Sequence, residues 1–480
     1  MQKSAEQQAA IDSFFDYRDI DFVACWYAKA AEYGNARCAF VSTNSITQGE
    51  QVAPLWRTLS KYGTEIDFAY RTFKWHNEAK GNAAVHCVII GFHARNGDIG
   101  DHEDNGDVIE AGVPSPKSPV SPIHNRPKTI YDPDGTVHHV EHINGYLMPA
   151  PDVLLESRSR PRCPCAPALT MGNMPLDGGN LIIEKEEYPQ FANCEPDSLT
   201  VIKHLTGSKE YIQGLERWCL WLKDVEPSLI RSMPLVMERV AKCREWRLAS
   251  KSADTRKHAA TPTLFREQKN PKTAIIIPKV SSEKRDYIPI GFIDDSVIVT
   301  DLAFLIPDAT LYHFGILSSR MHMAWMRAVA GRLKSDYRYS KDIVYNNFPW
   351  PDVENECGRE TIDERRERET RDIETSRLAP HVSSARLMPN VSCPRHDATI
   401  SAAAQAVLDA RAAHPNATLA DLYDPLTMPP DLVKAHAHLD ALVDKAYGLS
   451  PSCTDADRVA HLFKLYAEKV KDIPKIRAAT

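Results

Sequence analysis

Three stretches of this chain carry side chains whose types and spacing could do chemistry. In Phe40–Glu50 (FVSTNSITQGE) an apolar run passes straight into a polar turn. In an α/β sheet the end of such a strand is where ligands are held, and Ser42, Thr43, Asn44 and Gln48 could offer hydrogen bonds to a base or a backbone. A strand-to-helix turn capped by Ser45 or Thr47 explains the same residues equally well. In Arg71–Asn82 (RTFKWHNEAKGN) aromatic residues interleave with cations and amides. An enzyme that works on a nucleobase must draw it from its stack and hold it against flat side chains. Phe73 and Trp75 suit that task, with Asn44 and Asn77 as polar candidates for the same pocket, and Lys74 and Lys80 could meet phosphates. A core aromatic pair beside a solvated loop is the competing reading. The third stretch has two parts, Ile275–Ile290 (IIIPKVSSEKRDYIPI) and Leu317–Trp350 (LSSRMHMAWMRAVAGRLKSDYRYSKDIVYNNFPW). The first part holds Lys279, Ser281, Lys284 and Arg285. The second reads as a helix over Leu317–Lys334, on which Arg320, Arg327, Arg332 and Lys334 alternate with Met323, Ala324, Val329 and Leu333. Tyr337, Arg338, Tyr339, Asn346 and Asn347 follow. Arginine and lysine read guanine edges and phosphates, asparagine reads adenine, and hydroxyls settle on phosphate. A surface helix with a solvated basic face has the same pattern.

Missing motifs narrow the chemistry. The 480 residues contain no Asp/Glu-x-x-x-Gly-x-Gly turn for a nucleoside cofactor, no Walker loop, no Gly-x-Ser-x-Gly elbow and no His-Glu-x-x-His. They also lack an Asn-Pro-Pro-Phe/Tyr tetrapeptide, which would grip an exocyclic amine; Asn347-Phe-Pro-Trp350 and Met428-Pro-Pro-Asp431 have the wrong residues. Net charge is −6, but distribution matters more than the sum. Ala241–Ile290 holds 12 Lys/Arg against 5 Asp/Glu, and Ile316–Ile343 holds 6 against 2, whereas Asp352–Glu374 reverses to 10 acidic and 5 basic residues. A basic middle of this kind can track phosphates.

These segments need a frame. With 43% hydrophobic and 25% charged residues, the composition is that of a globular protein of several domains. No run reaches the roughly 20 apolar residues of a membrane helix, and the first residues do not read as a secretory signal. The eleven cysteines lie mostly in apolar runs, which suits buried thiols in a reducing cytoplasm. Cys163 and Cys165 have no second pair at zinc-site spacing, so a loop and no metal are expected. Helical periodicity over Ile20–Tyr33 and Gln48–Tyr62 alternates with apolar strands at Ala36–Ser42, Ile66–Ala69 and Ala83–Phe92, the pattern of an α/β layer. Further strands are expected at Thr273–Val280 and Tyr287–Phe292. Asn96–Arg126 and Asp352–Thr399 read as inserts, and Ile400 onward is helical, with Leu432, Leu439 and Val443 on one face and Val459, Leu462 and Phe463 on another.

In their order, the stretches DFVACWYAKAA, AFVSTNSITQGEQVAPLW, RTFKWHNEAKGNAAVHCVIIGF, PDVLLESRS, MGNMPLDGGNLI, IIIPKVSSEKRDYIPIGF, LSSRMHMAWMRAVAGRLKSDYRYSKDIVYNNFPWP and AAAQAVLDARAAHPNATLADLYDPLTMPPDLVKAH resemble the MmeI-like (type IIL) family. Its members are adenine-specific DNA methyltransferases of bacterial restriction-modification systems. The resemblance implies an α/β fold: a partial Rossmann-like methyltransferase sheet, a mixed α/β target-recognition domain and C-terminal helices. It assigns residues 1–95 to the C-terminal half of the methyltransferase domain, 96–150 to a variable insert, 151–351 to target recognition, 352–399 to a flexible charged insert and 400–480 to a helical domain. The family moves a methyl group from S-adenosylmethionine to a flipped adenine. Its cofactor loop and tetrapeptide belong to the part preceding this match, so the chain alone is expected neither to bind the cofactor nor to catalyse. Phe73 and Trp75 match the segment closing the base pocket; Ser281, Lys284, Arg285 and Arg320–Asn347 match the DNA-reading region. Implied partners are double-stranded DNA and a methyltransferase half encoded upstream, in the cytoplasm and away from membranes. A stand-alone DNA-binding specificity subunit and a gene remnant with an exposed half-sheet are the alternatives.

Overall fold

A computed structural model describes residues 3–34, 37–75, 85–94, 127–351 and 398–471. The first unit runs α1 (Ala5–Phe14), α2 (Val23–Tyr33), β1 (Arg37–Thr43), α3 (Val52–Ser60), β2 (Thr64–Trp75), β3 (Val85–Ala94), β4 (Lys128–Tyr131) and β5 (Val137–Val140). Its strands lie in the order β1-β3-β2-β4-β5, and β3 is antiparallel to both of its neighbours. Alternation decides the faces. Val88, Ile90 and Phe92 are buried with Tyr27, Ala28, Leu55 and Leu59 of the helices, and Tyr27 stacks on Phe92 at 5.5 Å. On the opposite face Val41 and Tyr70 both stand across from Ile89 and are exposed among the described residues. Gly91 has no side chain because the Phe68 ring occupies that space.

The second unit holds β6 (Thr170–Met171), β7 (Ile182–Ile183), β8 (Ile202–Thr206), β9 (Trp218–Leu220), α4 (Pro234–Leu248), β10 (Thr273–Pro278), β11 (Val280–Ser281), β12 (Gly291–Asp294), β13 (Val297–Val299), β14 (Ala303–Pro307), α5 (Leu311–Leu317), α6 (Arg320–Val329), β15 (Gly331–Leu333) and β16 (Asp336–Arg338). They form three small sheets, β12-β10-β14-β6, β13-β8-β9-β7 and β11-β16-β15. Two expectations are corrected here. The helix over Leu317–Lys334 is broken: Ser319 leaves helical geometry and caps a new helix, its side chain accepting from the His322 amide, and the chain turns extended at Ala330. Arg332 and Lys334 therefore belong to a hairpin, not a helix. The strand at Tyr287–Phe292 begins only at Gly291; Tyr287, Ile288 and Ile290 are buried in irregular chain. The cysteine reading changes at one pair as well. Cys163 and Cys165 are joined by a disulfide, their Cα atoms 5.3 Å apart, a span that a bridge fits.

Three long helices follow among the described residues: α7 (Ala398–Ala412), α8 (Pro430–Ala446) and α9 (Asp455–Lys471). They share one core with the second unit, in which Trp325, Phe348 and Ile316 pack with Ile400, Leu439 and Phe463. No helix among the described residues is long and apolar enough to cross a membrane.

A carboxyl group sits at that junction. Asp440 accepts from the Tyr287 hydroxyl at 2.6 Å and from the Arg320 amide at 2.7 Å. Burial pushes its pKa from 3.8 up to about 6, against the pull of those two hydrogen bonds and of Arg458. The folded protein therefore holds this proton more tightly than the unfolded chain. Stability from this site is greatest below pH 4 and declines as pH rises to about 6, by up to about 3 kcal/mol. Asp440→Asn is expected to flatten the curve over that window. Urea titrations of both proteins at stepped pH check this, and parallel curves would remove Asp440 as the cause.

Candidate nucleic-acid interface

The first and second units face each other across a cleft of about 720 Å³. One wall is the turn after β1, with Asn44, Ser45, Gln48 and Glu50; the other carries Lys279, Arg332, Lys334, Arg338 and Lys341. The two backbones touch at Gly49 and Gly331. Gly49 has φ +72°, and a Cβ there would lie 3.3 Å from the Gly331 Cα, so glycine meets both demands. Gln48 reaches across to the Arg327 carbonyl at 3.5 Å.

The cations are held in different ways. Burial depresses the Lys279 pKa, and its ammonium lies 5.0 Å from the centre of the Phe304 ring. Arg332 lies 4.3 Å over the Tyr337 ring and donates to its hydroxyl at 3.1 Å. Lys334, with φ +57°, occupies the tight turn between β15 and β16, and it and Arg338 are exposed. Asp19, Glu50 and Asp342 also line the cleft, so Lys and Arg outnumber carboxylates there. Such a hairpin can place charge along a phosphate backbone.

Of the base-pocket candidates, Asn44 lines this cleft and donates to Gln48 at 3.2 Å. Phe73 and Trp75 form a tilted pair at 6.4 Å near the end of β2, with Trp75 49% exposed; they are not part of the cleft lining. Asn77 falls outside the described residues. Between the two aromatics, Lys74 takes the opposite face and pairs with Glu283 at 2.5 Å. Glu283 also meets His86 at 3.2 Å and Arg332 at 3.1 Å. Burial would raise the Glu283 pKa, but Lys74, followed by His86 and Arg332, outweighs it and holds the carboxyl low. Sequence reasoning passed over Glu283. Its signal was a lone acid among the serines, lysines and arginine of the 279–285 run.

The remaining candidates divide. Lys284 is exposed and Arg285 half-buried, with desolvation lowering the Arg285 pKa. Ser281 is buried, its hydroxyl without a partner among the described residues. Arg320 and Arg327 both pair with Asp455 of α9, at 3.3 and 3.2 Å, and so tie the C-terminal helices down. Tyr337 and Tyr339 are buried; the Tyr339 hydroxyl meets His322 at 2.9 Å. Asn346 and Asn347 are fully buried. Asn346 donates to the Arg158 carbonyl, and Asn347 to the carbonyls of Glu156 and Asp342 while accepting from Tyr466. An amide offers two donors and an acceptor in one plane, which suits it to joining a loop to a helix as well as to reading adenine. Asn347→Ala should cost about 2–4 kcal/mol in urea unfolding and leave the salt dependence of DNA binding unchanged. A changed salt slope with wild-type stability would restore the reading role.

Comparison with known proteins follows the same division. Residues 1–101 match the MmeI DNA-methyltransferase domain, 149–352 the MmeI target recognition domain and 392–474 the MmeI C-terminal domain. A DNA-methyltransferase domain, a target recognition domain and a C-terminal domain thus follow one another along the chain. DNA methyltransferase A of Bacillus subtilis (strain 168) is 37% identical over 453 residues, 94% of this chain and 44% of that protein. The type IIL restriction-modification enzyme MmeI, solved in complex with DNA, matches with a TM-score of 0.75 and 39% identity, over 98% of this chain and 56% of that one. The chain thus spans about half the length of these relatives, and it belongs to the MmeI family.

Proposed function

We propose that this chain is the DNA-engaging part of an adenine-specific methyltransferase of a restriction-modification system. It binds double-stranded DNA in the basic cleft and presents the recognition surface, while S-adenosylmethionine is bound by residues outside these 480. The observation that carries this reading is the cleft, where the turn after β1 meets a hairpin rich in lysine and arginine. Such a set of residues holds a polyanion. It does not fit the methyl donor, whose sulfonium is a cation and whose adenine needs an apolar slot. The sequence supplies neither the glycine turn nor the amine-gripping tetrapeptide elsewhere, so no transfer step is derived from these residues. That the MmeI relative was solved with DNA supports the partner class.

Two measurements test the reading together. Fluorescence anisotropy with a labelled duplex is expected to show binding that weakens steeply with salt. Incubation with tritiated S-adenosylmethionine and DNA is expected to give no labelled DNA from the chain alone. Label should appear once a methyltransferase half encoded upstream is added. Methyl transfer by the isolated chain, or no duplex binding at low salt, would refute the proposal.

A further inference from the structure

One carboxylate collects three cationic or hydrogen-bonding side chains from two units. Glu283 lies in the loop after β11, beside Lys284 and Arg285, the exposed and half-buried cations of the second unit. Lys74 and His86 reach it from the first unit, where they stand directly opposite each other on β2 and β3. Arg332 reaches it from β15, inside the second unit and on the cleft wall. Three of the four side chains are largely shielded, with exposure of 17% for Glu283, 12% for Arg332 and 5% for His86, while Lys74 is 44% exposed. In such a setting ionic hydrogen bonds are short and strong. The second ring nitrogen of His86 and Nε of Arg332 have no partner among the described residues, while Arg332 also donates to the Ser335 carbonyl and the Tyr337 hydroxyl.

The position of this cluster gives it meaning. The Gly49–Gly331 contact and the Gln48–Arg327 hydrogen bond fix the turn after β1 against the second unit. Neither of them touches the far end of β2, where Phe73 and Trp75 flank Lys74. Glu283 supplies an anchor at that end, in addition to the Arg57–Glu156 ion pair and the packing of Val52 into the second unit's core, which lie on α3 and not on β2.

We propose that Glu283 is a positioning residue that latches the Phe73–Trp75 end of β2 in register with the cationic hairpin, so that DNA held in the cleft orders the strand end carrying the base-pocket aromatics. The inference rests on the cleft being the DNA site. It adds a coupling between the two halves of the site, and a residue whose own side chain need not touch DNA.

Hydrogen–deuterium exchange on the full chain tests it. Without DNA, Glu283→Ala is expected to speed exchange about tenfold in Phe73–Trp75 and Val85–Cys87, leaving β10 and β14 as in wild type. With a random-sequence duplex, the wild-type strand end should gain protection. Glu283→Ala should bind that duplex no more than about threefold differently, since it removes an anion from beside the cations, yet gain no protection there. Lys74→Met, which breaks the latch from the other side and lies outside the cleft lining, should reproduce that loss. Wild-type exchange in the DNA-free Glu283→Ala protein, or DNA-induced protection that survives both substitutions, would overturn the latch. Failure of the wild type to bind the duplex would instead strike the proposed function, and the DNA-free arm would still decide whether the latch exists.

Discussion

Replacing Arg247 by alanine is expected to unfold the second unit at ambient temperature. Arg247 lies in α4 inside the most basic stretch of the sequence, yet it is fully buried. All five of its donors are used. Nε donates to the Leu176 carbonyl at 2.7 Å, Nη1 to His258 and Thr261 at 2.8 and 2.9 Å, and Nη2 to Pro175 and Leu264 at 2.9 and 2.8 Å. The guanidinium thus joins residues 175–176 to residues 258–264, two loops that share no strand pairing. Alanine leaves five carbonyls without their donor, four of them on partly buried residues and one on the exposed Thr261. Unsatisfied groups of this kind cost about 1–3 kcal/mol each before relaxation, so a total loss of about 5 kcal/mol is a restrained expectation. That is comparable with the whole stability of many domains. Circular dichroism and urea titration would report it, with Arg247→Lys only partly restoring stability because a lysine cannot serve two loops with a planar fork. A variant that melts within about 1 kcal/mol of wild type would show that the loops hold themselves.

The second large effect concerns DNA. The triple variant Lys334→Ala, Arg338→Ala, Lys341→Ala removes three cations from the cleft wall. Each cation withdrawn from a phosphate should lower the slope of log affinity against log salt by about 0.9, so the slope should shrink by up to about 2.7. Affinity near 0.1 M salt should fall by about a hundredfold, assuming roughly 1 kcal/mol per cation. Arg320→Ala and Arg327→Ala serve as controls. Their side chains are committed to Asp455, so they should weaken the attachment of α9 without altering the slope. If the controls flatten the slope and the triple variant does not, the cleft assignment is wrong.

That contrast shows what could be read from the residues in order and what could not. Apolar runs marked β1 and β3, because a strand packed against helices must carry such residues whatever lies elsewhere. The breaks in the predicted helix were written locally too, in Ser319 and Gly331, but its apolar period ran through them. The roles of charged and amide side chains were hidden for a different reason. Arg327 and its partner Asp455 are 128 residues apart, and Asn347 and the Glu156 carbonyl 191. A guanidinium looks the same in sequence whether it awaits a phosphate or is already spent on a carbonyl. Only the fold reveals which cations remain exposed; of the candidates in this stretch, Lys334 and Arg338 stand exposed on the hairpin rather than along a helix. Phe73 and Trp75 were legible as a pair, whereas the link that ties their strand to the hairpin depends on Glu283, more than two hundred residues later.

The meeting of Gly49 with Gly331 bears on how such proteins can diversify. Main chain rests on main chain there, with no side chain interposed, so at this crossing the approach of the two lobes is set by the trace of the polypeptide, given glycine at position 49. Recombination that imports a foreign hairpin would be tolerated whenever the imported loop follows the same path, however its outward-facing residues differ. A one-residue insertion at that crossing would pry the lobes apart even if every cation were retained.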